Sequence, residues 1–135
     1  MDKSASVKEE LVKYWKASSE DNFRSMLNMY ASGEYVWSLF VGHLCIEKLL
    51  KAVYVKNVDT AVPRTHNLLK LAINCDLKMT EEQTDSLQYV TIFNIEARYE
   101  EHKREFYRKC TREYTENQIS TIKELREWLL QKINR

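Results

Sequence analysis

The sequence has very little of the two residues that most often interrupt regular structure. Its 135 residues include 2 glycines and 1 proline, whereas average usage would put roughly 7% glycine and 5% proline in a chain. This scarcity leaves few tight turns. It therefore argues for long helices joined by few connections, and no segment has a convincing strand pattern.

The chain also lacks an excess of one charge and any long apolar run. Its 21 basic and 20 acidic residues leave a formal net charge of +1, so no global field draws the protein to nucleic acid or to a membrane. Any anion site must be a local cluster. No apolar run approaches the ~20 residues of a membrane span, and the polar first ten residues do not resemble a signal peptide. We expect a cytoplasmic protein without a membrane partner.

Residues that would hold a metal or a cofactor are equally sparse. The three cysteines, Cys45, Cys75 and Cys110, are odd in number and include no CxxC pair, so reduced, buried thiols are expected. The three histidines do not have the spacing of metal ligands. No GxxxxGK[ST] or GxGxxG motif is present to hold phosphates. We expect no metal site and no cofactor.

What the sequence does contain is the material of one helical domain. Hydrophobic residues make up 44% and charged residues 30%, a balance typical of globular proteins, and the length fits a single domain over residues 1–135. Apolar residues at three- and four-residue steps predict a first helix that ends near Gly33. The next helix, residues 34–56, is apolar almost all round and should lie at the centre of a bundle. Gly42 inside it indicates close helix packing.

The second half of the chain continues the helical pattern. Residues 57–65 form a loop, and residues 67–73 a short helix. Thr80 forms a capping box with Gln83 at the start of a further helix, and Thr111 caps the last one. Because short connections make neighbouring helices antiparallel, the sequence predicts an all-α, up-and-down bundle of about five helices.

The first candidate site lies on the second helix. His43, Glu47 and Lys51 are four residues apart and therefore share one helix face. One interpretation is a Glu47–Lys51 pair at the bundle surface beside a half-buried, hydrogen-bonded His43. The other is a cleft in which His43 and Lys51 meet an anion.

Two later segments are also candidates. In residues 64–68, Arg-Thr-His-Asn-Leu, His66 either lies in a simply capped loop or stands beside helix N–H groups that suit a phosphate. Residues 98–101 indicate a bend, and residues 98–112 have six basic and three acidic side chains with Tyr99, Phe106 and Tyr107 between them. Basic and aromatic groups together suit phosphates and unstacked bases, although a charge run on a helix is usually a solvated face.

Three segments, in order, resemble the HEPN family: residues 35–52 with the run EKLLKA, residues 63–69 with His-Asn-Leu, and residues 94–99 with Ala-Arg-Tyr. The resemblance implies an up-and-down bundle, usually a homodimer with a cleft, and roles around nucleotides and RNA. Some members accompany a small nucleotidyltransferase, often as toxin–antitoxin pairs, others are metal-independent RNases, and still others are binding modules. The positions matching the family's recurrent polar residues are His43, Glu47, Lys51, His66, Arg98 and Tyr99.

The chain departs from the RNase-type members of that family in one respect. Those members have an Arg, four to six intervening residues and then a His, whereas Arg98 and His102 have three residues between them. An RNase would need the His as general acid and base and the Arg on the phosphate. The departure weighs against catalysis, although a helical bend would still bring Arg98 and His102 together at i,i+4.

We therefore expect an accessory HEPN protein that binds a nucleotide or an RNA phosphate, works as a homodimer and accompanies a nucleotidyltransferase subunit. Arg98, His102 and Lys51 would contact phosphate, Tyr99 would stack or donate its hydroxyl, and Glu47 would orient His43 or Lys51. One alternative is a metal-independent RNase, the toxin of a toxin–antitoxin pair, that uses Arg98 and His102. Another is a pure interaction module whose charged face docks a nucleotidyltransferase.

Overall fold

Helices in sequence order make up the architecture. A computed structural model describes residues 3–135, and over that range it contains six helices and no strand. They are α1 (Lys3–Ala31), α2 (Tyr35–Asn57), α3 (Leu68–Asn74), α4 (Glu81–Glu96), α5 (Glu100–Lys109) and α6 (Arg112–Ile133). The all-α helical bundle is confirmed. The charged segment after the bend forms a helix of its own, α5, and this brings the number to six.

The helix ends follow local signals in the sequence. Gly33 has φ +80, and its N–H donates to the Tyr30 carbonyl at 3.0 Å as the chain leaves α1, as a left-handed C-terminal residue should. The side chain of Asn67 accepts from an N–H in the first turn of α3, and Thr111 does the same for α6. Thr80 forms the complete capping box of α4.

Helix α2 is the centre of the bundle, as its apolar surface predicts. It packs against each of the other five helices. At Gly42 a Cβ would lie 2.6 Å from Ile122 Cδ1 of α6 and 2.9 Å from Met26 Sδ of α1. Glycine therefore lets three helices meet closely at this point. Within the range that the structure describes, no helix is both long enough and apolar enough to cross a membrane.

The chain breaks between α4 and α5. Helix α4 ends at Glu96, and α5 begins at Glu100, so the observed break at residues 97–99 overlaps the bend expected at residues 98–101 and ends two residues earlier. Phe106 is the buried residue of α5, and its ring stacks on Phe93 of α4 with centroids 5.7 Å apart. Because Phe106 anchors one face, the basic side chains of α5 remain on the surface.

Candidate functional site

A buried carboxylate lies at the centre of the polar cluster on α2. The Glu47 side chain is only 4% exposed, and its Oε1 accepts from His66 Nδ1 at 2.7 Å. Its Oε2 accepts from Lys51 Nζ at 3.1 Å. A buried charge is costly unless it is paired and hydrogen-bonded. Here both oxygens have partners. Of the two residues that Glu47 was expected to orient, it holds Lys51 and not His43, and its second partner is His66.

His66 reaches this carboxylate from the loop before α3. Since a carboxylate only accepts, Nδ1 of His66 carries the hydrogen. The His66 side chain is 57% exposed, and its Nε2 has no hydrogen-bond partner among residues 3–135. Leu68 N–H, in the first turn of α3, already donates to Thr91 Oγ1 at 3.0 Å. This loop therefore offers an exposed His66 ring nitrogen whose orientation is fixed by Glu47.

His43 lies beneath His66, fully buried at 0% exposure. Its Nε2 donates to the His66 carbonyl oxygen at 2.8 Å, so in the neutral ring Nδ1 is a bare acceptor, and this buried atom has no partner among the described residues. Burial lowers the pKa of His43, and the charges of His66 and Arg98 lower it further, while the His66 carbonyl and Glu47 act in the opposite direction. His43 therefore supports the His66 loop from within and does not itself line a cleft.

The Lys51 ammonium group already has partners within the protein. Besides its bond to Glu47, its Nζ lies 5.0 Å from the centroid of the Trp15 ring on α1, a favourable cation–π contact. A lysine held by a carboxylate and a ring has little freedom to follow a ligand. Lys51 thus acts on the site mainly by neutralising Glu47, and Trp15 is a contributor that the sequence pattern did not single out.

Arg98 contributes the second exposed group. Its Nε donates to the Asn94 carbonyl at 3.1 Å and its Nη2 to Asn94 Oδ1 at 2.7 Å. Asn94 is itself buried. The guanidinium keeps its other N–H groups for a ligand, and among residues 3–135 no carboxylate pairs with it. The i,i+4 spacing of Asn94 and Arg98 on a helix is a signal that could have identified Asn94 beforehand.

Tyr99 and His102 lie at the break between the helices. The Tyr99 side chain is exposed, and the Arg98 guanidinium carbon lies 5.8 Å from its ring centroid. His102 is an exposed residue in the first turn of α5. Because Arg98 lies outside the helices and α5 begins only at Glu100, Arg98 and His102 do not share one continuous helix and lack the i,i+4 relation that a helical bend would give them. No hydrogen bond joins their side chains in the described part of the chain.

The structure thus brings together His43, Glu47, Lys51 and His66, with Arg98 close enough for its charge to affect His43. His102 is on the far side of the helix break. No group of three His, Cys, Asp or Glu side chains within residues 3–135 is arranged to hold a metal ion. What these residues can offer chemically is an imidazole oriented by a neutralised buried carboxylate and a guanidinium oriented by Asn94.

Comparison with known proteins adds one finding. The family model described as the HEPN domain matches residues 12–133 of the chain. This range takes in most of α1, the whole of α2 to α6, and every residue of the cluster. Comparisons with curated proteins and with solved structures give no match. The matched range covers most of the chain, and we conclude that the chain belongs to the HEPN domain family.

Proposed function

We propose that the chain binds a phosphate of a nucleotide or of RNA between His66 and Arg98, above the buried pair of Glu47 and Lys51. One observation carries this proposal. Glu47 holds His66 through Nδ1 and leaves Nε2 free, and Arg98, whose charge acts on the adjoining His43, is oriented by Asn94 and neutralised by no carboxylate within residues 3–135. Two oriented donors of this kind suit an anion.

The chemistry of the two groups favours a phosphate over other anions. A guanidinium presents its N–H groups in a planar fork that matches phosphate oxygens. A protonated His66 Nε2 would donate a further charged hydrogen bond. Tyr99, whose ring lies next to Arg98, would stack on a base or donate its hydroxyl. His43 and Lys51 would act as positioning residues, through the His66 carbonyl and Glu47 respectively.

The proposal includes an accessory role as a homodimer, with a nucleotidyltransferase subunit as a partner. HEPN domains often dimerise and bind RNA. Two exposed isoleucines on one face of α4, Ile92 and Ile95, offer an apolar contact for a second copy. Light scattering should give twice the chain mass, and a monomer mass at working concentration would remove the dimer from the proposal.

Calorimetric titration with AMP, UMP and a trinucleotide tests the phosphate site. Arg98→Ala should weaken binding about tenfold or more, because a hydrogen bond to a charged group is lost. His66→Ala should also weaken it. Arg24→Ala, which removes an exposed arginine of α1, is the matched control and should bind as the unmodified chain does. Absence of heat with all three ligands, or equal affinity in Arg98→Ala, would refute the site.

Metal-independent RNA cleavage is the second candidate function, and the Glu47–His66 bond favours it. A general base needs an orienting partner on its other nitrogen, and His66 has that partner at 2.7 Å. On this reading His66, rather than His102, would exchange the proton of a ribose 2′-hydroxyl, and Arg98 would stabilise the phosphate.

Incubation of labelled single-stranded RNA with the pure protein in EDTA tests this candidate. Cleavage should disappear in His66→Ala and persist in His102→Ala. Loss in His102→Ala alone would assign the chemistry to the other histidine, and intact RNA with the unmodified chain would leave the binding function alone.

A further inference from the structure

A groove on the surface joins the start of α2 to the outer face of α5. Two cavities of 370 and 440 Å³ adjoin there, each within the size range of small-ligand pockets. They share Lys103 and Tyr107. Trp37 and Glu34 line the first cavity. None of these four residues belongs to the cluster around Glu47.

Two aromatic rings are available for contact in this groove. Trp37 is 39% exposed and Tyr107 is 74% exposed. Exposing a ring of that size forgoes the stabilisation that its burial would bring. Phe40 contacts the Trp37 ring edge-on, with centroids 5.7 Å apart, so the indole plane is held in place. A fixed, half-open ring is a ready stacking surface.

The charges in the groove are basic in excess. Lys103 Nζ lies 5.7 Å from the Trp37 ring centroid, and Arg104 and Arg108 line the second cavity. Within residues 3–135, none of these three cations forms an ion pair. Two carboxylates, Glu34 and Glu100, also line the cavities, so three cations face two anions in an almost neutral protein.

A solvated helix face would explain the charges of α5 alone. It does not explain the exposure of Trp37. This ring belongs to α2, yet it lines the same cavity as Lys103 and Tyr107 of α5. Rings that accept the faces of bases, flanked by cations that follow a backbone, are the arrangement by which proteins bind single strands. A duplex hides its base faces and could use the cations only.

We propose that this groove binds single-stranded nucleic acid, with bases stacked on Trp37 and Tyr107 and phosphates on Lys103, Arg104 and Arg108. The proposal rests on the proposed function in taking nucleic acid as the ligand and deepens it by naming the class. Trp37 precedes His43 on α2 by six residues, about 9 Å along the axis. We expect a strand of several nucleotides to reach both the groove and the His66–Arg98 site, whereas a mononucleotide would occupy one of them.

Fluorescence anisotropy with labelled oligouridylates of two to ten nucleotides tests the groove. Affinity should rise with length. Tyr107→Ser should weaken binding of the longer strands about fivefold or more, through loss of one stacked base. Tyr14→Ser is the matched control, since Tyr14 is another exposed tyrosine, on α1, and it should leave affinity unchanged. Equal effects of the two substitutions would overturn the proposal.

The cations are tested by salt dependence. Lys103→Ala with Arg108→Ala should flatten the slope of log affinity against log salt by about 1.4, or 0.7 for each lost phosphate contact on a single strand. Lys70→Ala with Lys123→Ala removes the same charge from α3 and α6 and should leave the slope unchanged. A slope that falls equally in both double variants would count against the groove.

Four further outcomes separate the groove from the phosphate site and from other ligands. If Arg98→Ala lowers the affinity for mononucleotides while Tyr107→Ser lowers only the affinity for long strands, both the phosphate site and the groove are supported. If strands bind no tighter than mononucleotides, the groove proposal fails and the phosphate site survives. Oligouridylate and oligodeoxyuridylate binding equally would support single strands in general. A duplex that binds more tightly than a single strand would overturn the proposal. So would polyglutamate, if it binds more tightly than a single strand and if Tyr107→Ser or Lys103→Ala with Arg108→Ala weakens its binding.

Discussion

At the scale of single residues, burial separates three histidines that look alike in the sequence. His43 is fully buried, His66 is exposed but tied to Glu47, and His102 is an exposed residue of α5. In the sequence, His43 was a candidate through its four-residue spacing from Glu47, His66 through its place before a short helix, and His102 through the basic segment that follows Arg98. The structure gives His43 a supporting position, because its Nε2 holds the His66 carbonyl and its Nδ1 is enclosed.

Burial of His43 makes stability depend on pH. Because its pKa is lowered in the folded chain, the unfolded state binds more protons below about pH 6.5, and stability falls as the pH drops from 7 towards 5. The slope for one such proton is at most about 1.4 kcal/mol per pH unit. His43→Gln, which can still donate to the His66 carbonyl, should reduce this loss.

Urea unfolding between pH 7 and pH 5 is the measurement for this effect. Other groups also titrate in that window, so the change in slope between the unmodified chain and His43→Gln is the quantity compared. His102→Gln removes an exposed imidazole and serves as the control. Identical pH dependence in His43→Gln and the unmodified chain would show that His43 does not contribute.

At the scale of elements, α2 is the helix whose role was clearest beforehand. Its apolar surface on every side predicted a central position, and it does contact the other five helices. The sequence predicted that Gly42 allows close helix packing, but it did not identify the neighbouring side chains. Only the packing names the atoms that a methyl group would meet, Ile122 Cδ1 and Met26 Sδ.

A double-mutant cycle tests that contact. Gly42→Ala should destabilise the protein by about 1–2 kcal/mol, because overpacking outweighs the better helix propensity of alanine. Ile122→Val removes the Cδ1 atom and should itself cost about 1 kcal/mol. The double variant should be more stable than the sum of the two predicts. Strict additivity in urea unfolding would mean that the two side chains do not compete for space.

At the scale of the whole molecule, the exposure of the three cysteines shows whether the bundle keeps solvent out of its core. Cys45, Cys75 and Cys110 are all free and buried, as the odd number and the wide spacing predicted. They lie on α2, just after α3 and just after α5. Burial raises the pKa of Cys45 to about 11 and that of Cys75 and Cys110 to about 12, so hardly any thiolate is present near neutral pH.

Thiol labelling with a disulfide reagent should therefore be slow for all three cysteines in the native protein. The rate should rise with urea in parallel with unfolding, since the thiols are spread over the bundle and become accessible when it opens. All three should label at once in the fully unfolded chain, which is the control. A thiol that labels within minutes in native buffer would indicate local opening of the element that holds it.

The fold class, several of the helix ends and the central place of α2 could be predicted from the sequence, because they depend on signals that act over a few residues. Gly33 stops a helix by its own backbone freedom, Thr80 caps one three residues away, and the apolar positions of α2 follow the helical period. The His43, Glu47 and Lys51 stripe was visible for the same reason.

The partners across the bundle were decided by tertiary structure alone. Glu47 meets His66 across 19 positions in the chain, and Trp37 meets Lys103 from another helix. Nothing local distinguishes a glutamate that holds His66 from one that holds His43, because the choice depends on the path of the loop before α3. Side chains become buried, and residues far apart in the sequence come into contact, only when the helices pack. Polar residues that are isolated in the sequence form a site only at that stage.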